Sequence, residues 1–233
     1  MVGQDVPVVN RIGEIFDREA DLYDARYDTH ADMAEDQLTA KRLVNFYSQG
    51  KLVDLGCGTG KLIELLGVDT EDYVGLDVSG GMIRVARSKY PLHTFHTDDI
   101  TRSLLMGESY DYAVSLYGSP SYSPFRDVVR EAHRLLRPGG KVLMMPYAPG
   151  RKNAPRPPQA PHAARYIRAA EAREVLKEER FVRITCHGVG VPWAHASDRD
   201  LPLPALQVLL ETEANHGIAD DGCFLLLIAE KRR

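Results

Sequence analysis

The residues that could do chemistry begin with a glycine-rich loop, Gly-Cys-Gly-Thr-Gly at 56–60, which follows the apolar run 51–55. Glycines where a strand meets a helix let a ligand approach the backbone, because no Cβ stands in the way. The helix N-terminus then offers unpaired amide groups. A tight strand-to-helix turn without a ligand would use the same residues. The spacing departs from the dinucleotide fingerprint Gly-x-Gly-x-x-Gly, since Lys61 holds the third glycine position, and no P-loop ending is present.

Carboxylates follow the next two predicted strands. Asp77 lies 21 residues after Gly56, where it could accept hydrogen bonds from both hydroxyls of a ribose. Asp99 follows a weaker strand and could accept from an adenine amino group, with Ile100 pressing against the ring. Each aspartate could instead cap a helix or a turn. Because parallel strands end at one edge of a sheet, the pattern favours a nucleotide-like ligand there.

The elements that must position these residues alternate in type along the chain. Short apolar runs predict strands and amphipathic stretches predict helices. We therefore predict an α/β fold: a doubly wound seven-stranded sheet, mostly parallel with an antiparallel last strand, and an N-terminal helical cover. The predicted strands are 51–55, 73–77, 93–96, 112–116, 141–145, 181–188 and 223–230. Helices are expected around 12–16, over 31–47 and 61–66, after Ser79, from Ser123-Pro124 to Leu136, and over 165–179 and 203–214.

Composition narrows the class of protein. The 233 residues carry a net charge of −4, which gives no general attraction to nucleic acid. No apolar run reaches membrane-spanning length, and residues 1–10 do not read as a secretory signal. Three scattered cysteines indicate reduced thiols in a cytoplasmic setting rather than a disulfide framework. No cluster of acids and histidines predicts a metal site.

Five motifs in order resemble those of class I (Rossmann-like) S-adenosylmethionine-dependent methyltransferases. Residues 53–60 resemble the first motif, and 75–79 with Met82 resemble the second. The third, the fourth strand and the turn before the fifth strand are matched at 99–100, 110–115 and 135–141. The resemblance implies S-adenosylmethionine (SAM) as cofactor, with S-adenosylhomocysteine (SAH) as its product.

The resemblance also implies roles for individual residues. The glycine loop would lie along the methionine part of SAM, Asp77 would bind the ribose, and Asp99 the adenine amine. An aromatic residue of the N-terminal segment, Tyr23 or Tyr27, would close over the cofactor, although packing on the sheet would explain either residue. The full predicted cofactor-binding set is Tyr23, Asp54, Gly56, Cys57, Gly58, Asp77, Val78, Met82, Asp99, Ile100 and Ser115.

The stretch after the fourth strand resembles the acceptor side of small-molecule methyltransferases. Tyr117 and Tyr122 are the predicted catalytic residues there, as groups that orient the acceptor, or they are packing residues. The Asn/Asp-Pro-Pro-Tyr/Phe motif of nucleic-acid amine methylation is absent. His187 and His195, which flank Trp193, are candidate bases. The predicted reaction is in-line displacement onto the amine or hydroxyl of a small molecule.

Three other functions stay open: methylation of RNA or protein, SAM binding without turnover, and nicotinamide-dependent oxidoreduction. The chain is predicted to be one domain, 1–233, and to act as a monomer or homodimer without nucleic-acid or membrane partners. Within it, 1–50 would be the helical cover, 51–147 the cofactor-binding half and 148–233 the lid and substrate half. Five of the fourteen prolines fall within 148–161, which predicts a loop or lid. Basic residues cluster beside it, as a solvated surface or an anion-binding patch, at Arg151, Lys152, Arg156, Arg165, Arg168 and Arg173.

Overall fold

A seven-stranded sheet organises the chain in the computed structural model, which describes residues 8–150, 164–190, 202–214 and 219–233. The strands lie in the order β3-β2-β1-β4-β5-β7-β6. Strands β1 to β5 pair in parallel, and β7 runs antiparallel to both β5 and β6. The predicted fold class, including its antiparallel last strand, is therefore confirmed. The strands are β1 (Leu52–Leu55), β2 (Tyr73–Asp77), β3 (Thr94–Thr97), β4 (Tyr110–Ser115), β5 (Leu136–Met144), β6 (Phe181–Val189) and β7 (Phe224–Lys231).

Helices cover both faces of this sheet. Two buried apolar clusters lie on opposite faces of the sheet. Val53 and Leu55 of β1 belong to the first cluster, and Leu52 belongs to the second. This alternation is the period-two geometry of a strand. The helices are α1 (Val8–Glu19), α2 (Tyr23–Arg26), α3 (His30–Phe46), α4 (Lys61–Leu66), α5 (Gly80–Lys89), α6 (Phe125–Leu135), α7 (Ala169–Glu178) and α8 (Leu203–Ala214). Helices α6 and α7 contribute to the first cluster, and α3, α4 and α5 to the second.

Local sequence explains why the helices nearest the sheet edge form where they do. The Ser79 hydroxyl caps α5 by accepting a hydrogen bond from the Met82 amide at 3.0 Å, as predicted. Thr29 and Asp32 form a capping box at the start of α3. The buried residues of α6 recur at helical spacing and form one apolar stripe toward the sheet: Phe125, Val128, Val129, Ala132 and Leu135.

Several predicted element boundaries were wrong, among them the start of β4 at Tyr110 instead of 112, and three of them have a clear structural cause. Ser123 does not cap α6, because Pro124 has an extended ψ of 110° and the helix starts one residue later. Leu136 already pairs with Tyr110 in β5, since a register shift in that strand pair accommodates the Pro-Gly-Gly segment. Helix α7 begins at Ala169 rather than 165, because the preceding backbone is bonded elsewhere: Arg165 to Ser121 and Ile167 to Tyr147.

Some predicted features fall on residues outside the described ranges. The proline-rich stretch from 151 onward lies outside the described residues, as do Trp193 and His195. The division into a cover, a cofactor-binding half and a substrate half stays a prediction. None of the helices in the described ranges combines the length and apolar character needed to cross a membrane.

Candidate functional site

A cavity of about 260 Å³ lies where the parallel strands end. Its lining includes residues that directly follow or terminate β1, β2, β3 and β4. Ligands of open α/β sheets bind at this edge. The structure brings together here twelve of the thirteen predicted site residues: Tyr23, Asp54, Gly56, Cys57, Gly58, Asp77, Val78, Met82, Asp99, Ile100, Tyr117 and Tyr122.

The glycine loop adopts backbone angles that favour glycine. Gly56, Gly58 and Gly60 have φ values of +79°, +52° and +91°. A Cβ on Gly56 would lie 2.6 Å from the Cβ of Ser119, so this glycine allows a close approach within the protein. A Cβ on Gly58 would meet no atom within 4 Å, although the residue lines the cavity. Gly58 therefore leaves space that a ligand can occupy against the backbone.

Asp77 joins the glycine loop to the start of α5. One carboxylate oxygen accepts a hydrogen bond from the Gly58 amide and the other from the Ser79 amide, each at 2.9 Å. Burial raises the pKa of Asp77 to about 6, although both amides favour its charged form. Asp77 therefore does cap the turn at Ser79, which was the alternative explanation for this residue. Its position in the cavity lining also leaves it available to ribose hydroxyls.

Asp54 lies deeper, at 2% exposure, beneath the same loop. The Tyr73 hydroxyl donates to it at 2.9 Å, and burial raises the pKa of Asp54 to about 7. A carboxyl group with that pKa exists in both protonation states near neutral pH. It can therefore accept or donate a hydrogen bond toward the cavity that it lines.

A carboxylate and two apolar side chains line the cavity near the end of β3. Asp99 is held in place by Thr101, whose amide and hydroxyl donate to one carboxylate oxygen at 2.8 and 2.7 Å. Met82 and Ile100, at 2% and 8% exposure, line the cavity beside it. A flat apolar ring with a hydrogen-bond donor at its rim would fit between these groups.

The N-terminal segment closes the cavity with aromatic rings. Phe16 packs edge-on against Tyr23 at 6.2 Å and against Tyr122 at 5.3 Å between ring centroids. The Tyr23 and Tyr27 rings are 5.0 Å apart. Asp24 accepts a hydrogen bond from Thr59 of the glycine loop at 2.6 Å. The segment therefore contacts both the loop and the opposite wall, and its role as a cover over a cofactor stays a prediction.

Tyr117 and Tyr122 form part of the far wall. Tyr117 has a φ of +47°, a strained backbone conformation for a bulky residue, and its hydroxyl donates to Asp36 at 2.7 Å. The Tyr122 hydroxyl lies 3.3 Å from that of Tyr147. Burial raises the pKa of both predicted residues above the ordinary tyrosine value. Both are neutral phenols at physiological pH and can orient an acceptor, but they cannot act as bases from a phenolate.

Other predicted residues lie away from the cavity. Ser115 is fully buried and its hydroxyl donates to the Leu55 carbonyl at 2.5 Å, so it joins β4 to β1 instead of lining the site. His187 is exposed on β6 and is not part of the lining. Arg165 and Arg168 of the basic cluster lie 3.9 and 4.0 Å from Glu171 and Asp220. These contacts favour the surface interpretation of that cluster over anion binding.

The structure adds residues that the sequence patterns did not single out for the site. Asp36 bridges Tyr117 and Lys61, accepting from the lysine ammonium at 3.0 Å. Further lining comes from residues distant in sequence, namely Phe16, Tyr147, Tyr166 and Phe224. Phe16 lies on α1, in the N-terminal segment that the resemblance marks as a cover. No local motif marks the other three, because they reach the cavity only when the segment after β5, the stretch before α7 and β7 pack around the strand ends.

This fold, with a cavity at the carboxyl edge of its parallel strands, is typical of ligand-binding α/β proteins, and comparison with known proteins narrows the class. Residues 52–140 match the family described as "Methyltransferase domain". The match spans the glycine loop, Asp77 and Asp99. The predicted family is confirmed for this segment, which matches a methyltransferase domain over 89 of the 233 residues.

Curated relatives extend the comparison beyond this segment. The chain is 29% identical over 142 residues to a malonyl-[acyl-carrier protein] O-methyltransferase of Serratia marcescens, covering 60% of this chain and 53% of that protein. It is 31% identical over 138 residues to a dTDP-4-amino-2,3,4,6-tetradeoxy-D-glucose N,N-dimethyltransferase of Saccharopolyspora spinosa, covering 55% and 54%. The chain thus spans about half the length of these relatives.

Solved structures share the fold over nearly the whole chain. A SAM-dependent methyltransferase of Thermotoga maritima, described as a possible histamine N-methyltransferase, has a TM-score of 0.72 at 18% identity and covers 95% of this chain and 100% of its own. The [4+2]-cyclase SpnF has a TM-score of 0.66 at 17% identity, with 97% of both chains covered. At these identities the likeness establishes the fold alone, and the cyclase shows that the fold serves more than one reaction.

Proposed function

We propose that this protein transfers a methyl group from SAM to a small-molecule acceptor that carries an amine or hydroxyl group. The observation that carries the proposal is one cavity that unites the glycine loop, Asp77 and Asp99 under an aromatic cover, within a methyltransferase domain. Relatives named as O- and N-methyltransferases support the reaction type without deciding the acceptor.

The residues present fit the chemical groups of SAM. The open space beside Gly58 suits the methionine part, and Asp77 can accept hydrogen bonds from ribose hydroxyls. Asp99 can accept from the adenine amine while Met82 and Ile100 cover the ring faces. When bound, SAM supplies an electrophilic methyl carbon attached to a sulfonium.

The protein's own contribution is alignment and exclusion of water. The ring of Phe16 packs against those of Tyr23 and Tyr122, so these rings cover part of the cavity and limit the water inside it. Holding donor and acceptor in one geometry lowers the entropic part of the barrier. The neutral hydroxyl of Tyr117 orients the nucleophile, whose attack is in line with the bond that breaks.

A two-stage experiment tests the proposal. Isothermal titration calorimetry should show binding of SAM and SAH by the purified chain, without comparable binding of NAD(P). Incubation with SAM and a metabolite extract filtered to remove macromolecules should then release SAH. NAD(P) binding in place of SAM would contradict the cofactor assignment. SAM binding with no SAH release from any extract fraction would instead support a binding domain without turnover.

The alternative of a macromolecular acceptor is distinguished by the same assay. The net charge of −4 favours a small molecule over a nucleic acid. SAH release that required RNA or protein in the extract, with RNA binding that weakened steeply as salt rose, would support the alternative. A cytoplasmic location and a monomeric or homodimeric state stay predictions.

A further inference from the structure

The wall that faces the predicted cofactor side is aromatic. We call the acceptor wall the set Tyr117, Tyr122, Tyr147, Tyr166 and Phe224, all of which line the cavity. Their rings form a connected array with centroid separations of 5.5 to 6.5 Å around Tyr147 and 5.8 Å between Tyr117 and Phe224. Aromatic faces attract cations through their quadrupole. They also pack well against apolar carbon skeletons.

Tyr117 presents a hydrogen-bond acceptor to this space. Its hydroxyl hydrogen is committed to Asp36, at 2.7 Å, so the phenolic oxygen retains only lone pairs for a ligand. The other oxygen of Asp36 accepts from Lys61 at 3.0 Å, which fixes the carboxylate in place. A ligand that meets this pair must therefore donate a hydrogen, as an N–H or O–H group does.

The charged side chains around the cavity favour a cationic N–H donor over a neutral O–H donor. Among the residues that the structure describes, eight carboxylate side chains and two basic side chains line it. Both basic groups are paired: Lys61 contacts Asp36 and Glu64, and Arg26 contacts Glu19 at 2.8 Å. Four of the carboxylates contact a cation, at Glu19, Asp24, Glu35 and Asp36. The lining still carries more acidic than basic side chains, so a carboxylate or phosphate on the acceptor would meet net negative charge, which disfavours binding. A cation would meet carboxylates and aromatic faces.

We propose, resting on the proposed methyl transfer, that the acceptor is a small amine that binds as its ammonium form against the acceptor wall, with its nitrogen at Tyr117 and Asp36. The ammonium loses one proton to solvent before reaction. The nitrogen lone pair then forms the new N–C bond, the S–C bond breaks, and its electron pair stays on sulfur as SAH forms. The N-methylated product carries the positive charge that the sulfonium has lost.

Matched ligand trios test the acceptor class independently of turnover. Calorimetry on the SAH-saturated protein would compare phenethylamine, 2-phenylethanol and phenylacetate, and then cyclohexylamine, cyclohexanol and cyclohexanecarboxylate. The amine is expected to bind most tightly in each trio, by about tenfold over the alcohol, and the carboxylate most weakly. Equal or tighter binding of the alcohols or acids overturns the proposal, as does an absence of amine binding by a protein that binds SAH.

Three variants locate the effect at the proposed nitrogen site. Asp36→Asn and Tyr117→Phe should each weaken amine binding by about tenfold, since a charge-assisted hydrogen bond is lost. Glu64→Gln is the matched control, because Glu64 also pairs with Lys61, at 3.2 Å, but does not line the cavity. It should leave amine affinity within about twofold.

The outcomes separate this inference from the proposed function. If Asp36→Asn weakens SAH as much as it weakens the amine, the carboxylate serves the cofactor's own ammonium group and the acceptor assignment fails. If Asp36→Asn and Glu64→Gln behave alike, the assignment also fails. In both cases SAM binding and SAH release by the unaltered protein would leave the methyltransferase proposal standing. If the unaltered protein does not bind SAM, the methyltransferase proposal itself fails.

Discussion

Asp54 and Asp77 are two carboxylates near one ligand space whose environments differ. Asp77 accepts two backbone amides and borders the cavity, whereas Asp54 has a tyrosine hydroxyl as its hydrogen-bond partner and is almost fully buried. Burial raises the pKa of both, to about 6 and about 7. We therefore expect Asp77 to serve ligand recognition, and the more deeply buried Asp54, which also lines the cavity, to contribute most to pH-dependent stability.

Asp77→Ala should weaken SAM binding by about 1–3 kcal/mol, because ribose hydroxyls would lose their acceptor and the Gly58 amide its partner. Calorimetry with SAM would measure the change, and circular dichroism would verify that the variant is folded. Asp69→Ala, at an exposed site after α4, is the matched control. Unchanged SAM affinity in a folded Asp77→Ala protein would refute the ribose assignment.

Asp54 should make the folded chain less stable as pH rises from about 4 to about 7. In that window the folded chain keeps a proton on Asp54 that the unfolded chain has lost, because burial raises the folded pKa from 3.8 to about 7. The free energy of unfolding therefore falls by up to about 1.4 kcal/mol per pH unit from this group.

Asp54→Asn removes that titration while keeping a polar group of similar shape. Urea unfolding at pH 5, 6, 7 and 8 would compare the variant with the unaltered chain. The stability of the variant relative to the unaltered chain should rise from pH 5 to 7 and level off above it. A constant difference across this range would contradict the raised pKa.

Among the elements, a side chain of α1 helps to cap the N-terminus of α5. The Ser79 hydroxyl and the Gly81 amide both donate to one oxygen of Asp17, at 2.6 and 2.7 Å. Gly81 permits this contact, since a Cβ there would lie 2.9 Å from the Asp17 Cα. The aromatic cover is thus attached to the same helix N-terminus that follows Asp77.

Asp17→Ala should lower stability by about 1 kcal/mol through loss of this cap. It should also weaken SAM, because α1 carries Phe16 of the cover. Glu14→Ala is the control, since Glu14 on the same helix is exposed and makes only a 3.9 Å ion pair with Arg18. Urea unfolding and calorimetry would measure both effects. Equal behaviour of the two variants would show that the Asp17 contacts do not hold the cover.

The turn after β4 depends on a glycine at 118. Gly118 has a φ of +85°, and a Cβ there would lie 2.2 Å from the Tyr147 ring. Gly118→Ala should therefore cost about 1 kcal/mol for backbone strain and a further 1–3 kcal/mol for overpacking.

Gly67→Ala separates these two costs. Gly67 has a φ of +64° but open space around its Cβ position, so only the strain applies. Urea unfolding of both variants would give the difference. A Gly118→Ala protein no less stable than Gly67→Ala would show that Tyr147 moves away without cost and does not form a fixed part of the acceptor wall.

At the scale of the whole molecule, the sheet edge and the cover enclose one ligand space, so ligand binding and folding are linked. SAM at 100 times its Kd should raise the free energy of unfolding by about 2.7 kcal/mol. Thermal unfolding with and without SAM would show this as a higher Tm, and NAD should leave Tm unchanged. Stabilisation by NAD alone would contradict the cofactor assignment.

Most of the sheet and the cofactor side of the cavity could be predicted from the sequence because their determinants are local. The loop at 56–60 and the cap at Ser79 each occupy a few consecutive residues. The wrong boundaries of β5 and α7 depended on pairing with other segments: Leu136 pairs with Tyr110, and the backbone before α7 is bonded to Ser121 and Tyr147. A local pattern does not encode such bonds.

The sequence by itself determined the class of protein, since glycine spacing, strand-end carboxylates and apolar periodicity are properties of neighbouring residues. Which residues lie together on the proposed acceptor side became apparent from the tertiary structure alone. Tyr117 meets Asp36 across 81 positions of chain, and Asp17 meets Ser79 across 62. The physical reason is that hydrogen bonding and charge act over a few ångströms in space, whatever the separation in sequence. Which carboxylates and rings share a cavity is therefore set by how the helices pack on the sheet.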